Sequence, residues 1–307
     1  MFIAIILILI LSAAAGLFAA YHKVFYSSRR SDDETRLPLI IANKKYHDEI
    51  QRQAEILAQI PCEWVETRSR DGLRLVGRYY HHDSAAPLCI CFHGYRGSAV
   101  RDFSVMGQVL QHDGNNVILV DERAHWRSGG HTITYGVKER YDVLSWVEYA
   151  NERFGADVPI FLFGISMGAG TVLMASGLDL PDNVRGICAD CPFSSPKDVI
   201  CHVSDKIGLN PSLTWPVIRL SALVYGRLNL SKKITAANAV KHTEKPILII
   251  HGESDNFVPA AMSEVIADAN PAKVERCTFP GAEHGLSYFV DPDRYLTVVR
   301  DFMKRHM

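Results

Sequence analysis

Three residue types arranged in a fixed order along the chain could carry out nucleophilic chemistry. Gly164-Ile165-Ser166-Met167-Gly168 follows the apolar run Ile160 to Phe163 and precedes Ala169-Gly170-Thr171-Val172-Leu173-Met174-Ala175, a stretch with helix-forming character. A serine at such a strand-to-helix turn sits where flanking glycines let the backbone fold back closely and where the helix N-terminus faces a developing anion. A serine hydroxyl is a poor nucleophile until a base takes its proton, so a histidine and a carboxylate are required as well. Both occur later in the chain. Asp255 follows the apolar run Ile247 to Ile250 within His251-Gly252-Glu253-Ser254-Asp255, and His284 follows Val274 to Phe279 within Pro280-Gly281-Ala282-Glu283-His284-Gly285. Asp255 can accept the imidazole Nδ1 proton and leave Nε2 facing Ser166. Glu253 and Glu283 are the rival acids in the same loops, each readable as a solvated surface charge. His251 and His93 follow apolar runs and are read as structural, bonding loop backbone.

The elements that must position these residues are short apolar runs: Leu88 to Phe92, Asn116 to Val120, Ile160 to Phe163, Val184 to Cys188, Ile247 to Ile250 and Val274 to Phe279. Most lack polar alternation, as expected of strands buried on both faces of a parallel sheet. Helix-compatible stretches such as Val137 to Phe154 and Ala261 to Ala269 lie between many of them, which predicts a doubly wound, mostly parallel α/β sheet. Such sheets build their sites at the carboxyl ends of the strands. Ahead of them, Trp64 to Thr67 and Leu73 to Val76 flank Arg70-Asp71-Gly72, a hairpin signal. The catalytic domain is therefore expected over 61–307. Residues 194–240 are too long for an ordinary crossover and are rich in Trp215, Val217, Ile218, Leu220, Leu223 and Tyr225, which predicts an inserted helical cap that selects substrate.

The sequence from about Trp64 onward resembles the α/β-hydrolase superfamily, on His93-Gly94-Tyr95, Gly164-Ile165-Ser166-Met167-Gly168, Gly252-Glu253-Ser254-Asp255 and His284-Gly285. Within it the chain is similar to membrane-anchored bacterial hydrolases commonly compared with serine aminopeptidases, monoglyceride lipases and carboxylesterases. The resemblance implies an oxyanion hole made by the backbone N–H groups of Tyr95 and Met167. The chain lacks the longer glycine run of one lipase group, so Tyr95 is also expected to shape the acyl pocket. One departure stands in Asp121-Glu122-Arg123-Ala124-His125-Trp126, where the family places glycine after the histidine. If that position needs a positive φ, Trp126 is strained there. Its indole is expected to pack under the cap or narrow the entrance. Trp126, Trp215 and Leu223 join Tyr95 as expected substrate contacts.

Residues 1–22 begin with an apolar run free of charged side chains through Ala20. About 20 helical residues span roughly 30 Å, the thickness of a bilayer core, so a single-pass anchor is expected. A cleaved signal peptide is the competing reading, from the spacing of Ala13 and Ala15, but no Lys or Arg precedes the run and it continues past both. Lys23, Arg29 and Arg30 follow the run, which places the catalytic domain on the cytoplasmic side. Residues 23–60 read as a linker with an accessory helix, from the helical spacing of Ile50, Ile56 and Leu57 between Asn43 and Ile60.

In a chain of 307 residues, 48% hydrophobic and 22% charged, the net charge of -1 and the lack of a Lys/Arg-rich block exclude nucleic acid as an expected partner. The seven cysteines are odd in number and lie among apolar neighbours, as buried free thiols do. Cys188 and Cys191 have redox or metal spacing but no second pair. The His81-His82 pair lacks a carboxylate or cysteine at ligand spacing, so no metal and no cofactor is expected. The function that follows is hydrolysis of a carboxylic ester in a small acyl substrate, lipid-like ones included, through an acyl-enzyme. The same machinery would serve a peptidase, amidase or thioesterase. A different class of answer is a non-catalytic tethered scaffold with a relic site.

Overall fold

The computed structural model describes residues 2–28, 34–35, 44–230 and 233–307. Eight strands form one sheet: β1 (Glu63–Arg68), β2 (Arg74–Tyr80), β3 (Leu88–Phe92), β4 (Asn116–Asp121), β5 (Ile160–Ile165), β6 (Val184–Asp190), β7 (Ile247–Gly252) and β8 (Val274–Phe279). Their spatial order is β1-β2-β4-β3-β5-β6-β7-β8. The hairpin β1–β2 is antiparallel and β2 runs antiparallel to β4, while every pair from β4 to β8 is parallel. The helices are α1 (Phe2–Val24), α2 (His47–Gln59), α3 (Ala99–Asp102), α4 (Met106–His112), α5 (Glu139–Phe154), α6 (Met167–Ala175), α7 (Pro196–Lys206), α8 (Pro211–Gly226), α9 (Ala236–Val240), α10 (Ala261–Ala269), α11 (Ser287–Val290) and α12 (Pro292–His306).

The alternation of side chains along each central strand feeds two cores. Leu88, Ile90 and Phe92 of β3 join Trp146, Val172 and Phe193 on one face, while Cys89 and Cys91 join Phe103, Phe279 and Phe302 on the other. Apolar residues at every strand position are what a sheet covered on both sides requires. The cysteines act here as small apolar side chains, and all seven are free thiols. Burial pushes the thiol of Cys89 above its ordinary range, and those of Cys91 and Cys188 likewise.

The N-terminal expectation is corrected. In α1 the side chains of Ile6 and of residues 9–24 are described, and among the described residues no helix is long and apolar enough to cross a membrane. The single-pass anchor, and with it the cytoplasmic placement of the domain, is therefore overturned. Arg29 and Arg30, on which that placement drew, lie outside the described residues, as does Asn43. The end of the apolar run is spent on packing within the chain. Tyr225 Oη of α8 donates to Ala14 O at 2.9 Å, Phe18 meets the Tyr225 ring edge-on, and Tyr21 and Phe25 are buried in the core. Residues 25–27 continue as an edge piece, with Phe25 O accepting from Ile133 N at 2.8 Å and Ser27 N donating to His131 O at 2.9 Å.

Candidate active site

The carboxyl ends of β5, β7 and β8 bring three side chains together. Ser166 follows β5 directly, with φ 55° and ψ −109°. Such a conformation is rare for a residue with a Cβ and persists only where the surroundings over-determine it. Here they do: Ser166 N donates to Asp190 O at 2.8 Å and Ser166 O accepts from Gly170 N at 3.0 Å. The flanking glycines are obligatory, since a Cβ at Gly164 would stand 2.3 Å from Gly168 O and one at Gly168 1.9 Å from Phe92 O.

His284 Nε2 lies 2.9 Å from Ser166 Oγ, and its Nδ1 lies 2.7 Å from Asp255 Oδ2. A carboxylate can only accept, so Nδ1 carries its proton and the Nε2 lone pair faces the serine hydroxyl. Burial alone would raise the Asp255 carboxyl. Hydrogen bonds from His251 and His284, with the Val258 N–H, outweigh it and hold the group well below the usual carboxylate range. Asp255 Oδ1 accepts from the N–H groups of Phe257 and Val258 at 2.9 and 2.8 Å, which fixes its plane. His251 is fully buried and donates from Nε2 to Val258 O at 2.8 Å, closing the same loop. The rival acids are elsewhere: Glu253 accepts from Thr278 Oγ1, and Glu283 lines the cavity beside His284 without bonding it.

The loop after β3 supplies the opposite wall. Gly94 N donates to Asp102 Oδ2 at 2.7 Å, Arg96 N to His125 Nε2 at 3.1 Å, and Gly97 N to Gly94 O at 2.9 Å. Tyr95 N, by contrast, has no acceptor among the described residues, and neither does Met167 N at the start of α6. These two free N–H groups are the pair expected to form the oxyanion hole. Two buried histidines hold the loop from behind. His93 donates from Nδ1 to Gly94 O and accepts from Glu122 N, and His125 donates from Nδ1 to Arg123 O. Burial lowers their pKa values to about 4 and about 3, so both are neutral acceptors at neutral pH.

A cavity of about 260 Å³ opens over Ser166 and His284. Tyr95 lines it, as expected. Trp126, Trp215 and Leu223, the other expected substrate contacts, lie outside its lining. Trp126 adopts φ 42° and donates from Nε1 to Gly97 O at 2.7 Å, so the indole braces the back of the Tyr95 loop instead of narrowing the entrance. Trp215 lines a separate hollow with Pro196, Arg219 and Leu230, and Leu223 is 55% exposed on α8. Residues that sequence reasoning missed line it as well: Ile50 from α2, Lys206 at the end of α7, Tyr288 and Phe289 of α11, and Asp190 at the end of β6. Of these only Ile50 carried a signal, its helical spacing. Asp190 is buried and accepts from Tyr295 Oη at 2.9 Å; burial pushes its carboxyl up to about 6 despite that bond. Cys191 is also buried, its Sγ 3.9 Å from His284 Nε2.

With fold and site described, the class is defined: the chain has the α/β-hydrolase fold and matches hydrolase family models. Residues 87–233 match the model of the alpha/beta hydrolase fold and residues 212–297 that of the dienelactone hydrolase family. The chain is 27% identical to the protein YqkD of Bacillus subtilis over 73% of its own length and 74% of that protein. It is 24% identical to the lysophosphatidylserine lipase ABHD12 of Danio rerio over 67% of its length and 52% of that protein. Among solved structures it is similar to the esterase Pf2001 of Pyrococcus furiosus, with a TM-score of 0.67, 23% identity, and coverage of 90% of this chain and 99% of that one.

Proposed function

We propose that the chain is a serine hydrolase that cleaves carboxylic esters carrying an apolar acyl group. In this reading Ser166 is the nucleophile, His284 the general base and Asp255 the residue that orients His284. The observation that carries it is the 2.9 Å approach of Ser166 Oγ to an imidazole nitrogen whose partner nitrogen is committed to Asp255. Ser166 Oγ attacks the acyl carbon as its proton passes to His284 Nε2, and the carbonyl oxygen becomes an oxyanion held by the Tyr95 and Met167 N–H groups. The tetrahedral intermediate collapses as His284 gives its proton to the departing alcohol. Water, deprotonated by the same imidazole, then attacks the acyl-enzyme and restores Ser166.

Esters are favoured over amides by the name of the Danio rerio relative, a lipase. The cavity's Ile50, Met106, Phe257, Leu286 and Phe289 suit an apolar acyl chain, with Lys206 at its margin able to meet an anionic group. The selecting part of the insertion over 194–240 is thus assigned to the end of α7. The test is hydrolysis of p-nitrophenyl esters of graded chain length beside aminoacyl amides. Ser166→Ala should lower kcat by on the order of 10⁶. Ester turnover undiminished in that variant would refute the reading, and turnover confined to the amides would make the chain an amidase.

A further inference from the structure

The two residues around the free Tyr95 N–H are bolted to the end of the N-terminal helix. Tyr95 Oη donates to Val24 O at 2.8 Å, and one guanidinium nitrogen of Arg96 donates to Lys23 O at 2.9 Å and Tyr26 O at 3.0 Å. These carbonyls belong to the last turn of α1 and the residues just past it, where a helix leaves acceptors without intrahelical donors. The anchor they form is firm. Phe25 is fully buried, Tyr21 Oη pairs with Thr132 Oγ1 at 2.7 Å, and Tyr26 bridges to Thr132.

We propose that Arg96 is a positioning residue for the Tyr95 N–H, and that residues 23–26 set the oxyanion hole without touching substrate. The inference rests on the hydrolase reading above. The direction of an N–H is set by the torsions on either side of its peptide, so it is fixed only when both neighbours are held. Gly94 is held by Asp102. On the far side Tyr95 is held by its hydroxyl on Val24 O and by the next residue, Arg96, whose φ of 52° is a conformation that a side-chain-bearing residue keeps only under constraint. The Arg96 N–H on His125 supplies one constraint, and the guanidinium on two carbonyls supplies the other. With the guanidinium removed, Arg96 can relax toward negative φ. The Tyr95–Arg96 peptide must then rotate, because Gly97 stays tied to Trp126 and to Gly94, and that rotation passes through Tyr95 to the Gly94–Tyr95 peptide that carries the N–H. None of Lys23, Val24, Tyr26 and Arg96 lines the cavity over Ser166, so a substitution at Arg96 changes the aim of the donor and leaves the binding surface in place.

The experiment measures kcat and KM for p-nitrophenyl butyrate, together with the rate of fluorophosphonate labelling, on the full chain and its Arg96→Ala, Arg96→Lys and Tyr95→Phe variants. Misaiming one oxyanion donor should lower kcat about tenfold in Arg96→Ala, with KM within about twofold of the parent. Labelling should slow by the same factor, since the phosphoryl oxygen uses the same N–H groups. Millimolar guanidinium should restore part of the loss, and Arg96→Lys should fall between the two. Should Arg96→Ala fail to fold, Tyr95→Phe carries the test by removing one hydroxyl, with a smaller drop in kcat at constant KM. A change confined to KM, an unchanged kcat, or a loss that tracks the unfolded fraction and ignores guanidinium would overturn the positioning role. An active parent with any of those results leaves the hydrolase reading standing; a parent that neither hydrolyses the ester nor takes the phosphonate overturns both.

Discussion

The loops at the strand ends and the helices inserted between β6 and β7 treat their side chains in opposite ways. Around Ser166 the groups that set the geometry have fixed partners: Asp255 accepts from His284 and from two backbone N–H groups, and Gly94, Arg96 and Gly97 all spend their N–H groups within the protein. Two backbone donors, Tyr95 N and Met167 N, are left without an acceptor among the described residues. In the insertion the pattern is one of unspent apolar surface. Leu213, Val217, Leu220, Leu223 and Val224 of α8 are between 44% and 72% exposed, while Lys206, from the neighbouring α7, reaches the cavity. The contrast teaches that apolar content alone does not locate a substrate pocket. The pocket belongs to the region where polar groups are accounted for one by one and a few are left over.

If that division is right, the largest effects of substitution fall at the strand ends. Asp255→Asn should lower kcat by roughly 10⁴, because the amide leaves His284 free to present the wrong tautomer. Steady-state kinetics with a p-nitrophenyl ester measure this directly, and Glu253→Gln and Glu283→Gln in parallel should stay near the parent. Next in size, Asp102→Ala strips the acceptor from Gly94 N and should lower kcat by about 10- to 100-fold. It should also lower Tm, since a buried donor left unpaired costs about 1–3 kcal/mol.

A pH series sharpens the comparison further. His93 and His125 have pKa values in the folded chain of about 4 and about 3, against an ordinary 6.5. A depressed pKa means that the folded state favours the neutral ring, so this stability is complete above about 6.5 and is lost as pH falls toward 4 and 3. Tm should decline through that window, and His125→Gln should flatten the decline. The smallest effect is expected at Leu223→Ser, which exposes no core and touches no cavity. Chain-length preference in kcat/KM should be unchanged and Tm should move little. A shifted preference there would return the insertion's outer helix to the substrate site.

Much of this arrangement is legible in the sequence. Ser166, Asp255 and His284 each follow an apolar run in an order that only one kind of sheet uses, and local sequence is enough to put a residue at the end of a strand. The strand β3 and helix α10 were readable to the residue for the same reason. What local sequence lacks is direction. Trp215 and Leu223 are apolar and lie in the right segment, yet which way a helix turns its faces depends on what it packs against. Trp126 stands at a position of positive φ, where glycine is the ready residue, but its partner Gly97 lies 29 residues away. The same holds for the first helix. Its uncharged run reads as a bilayer span, and distant residues such as Tyr225, Tyr95, Arg96 and Thr132 reveal that its last turns are tied to the domain.

The central claim is that Ser166 is the nucleophile, made so by His284 and Asp255. Its most direct test is incubation of the full chain with a fluorophosphonate followed by peptide mass spectrometry. A single adduct on the peptide containing Ser166, absent in Ser166→Ala and strongly slowed in His284→Ala, is the predicted result. An adduct on another residue, or an unlabelled chain that still hydrolyses esters, would contradict it.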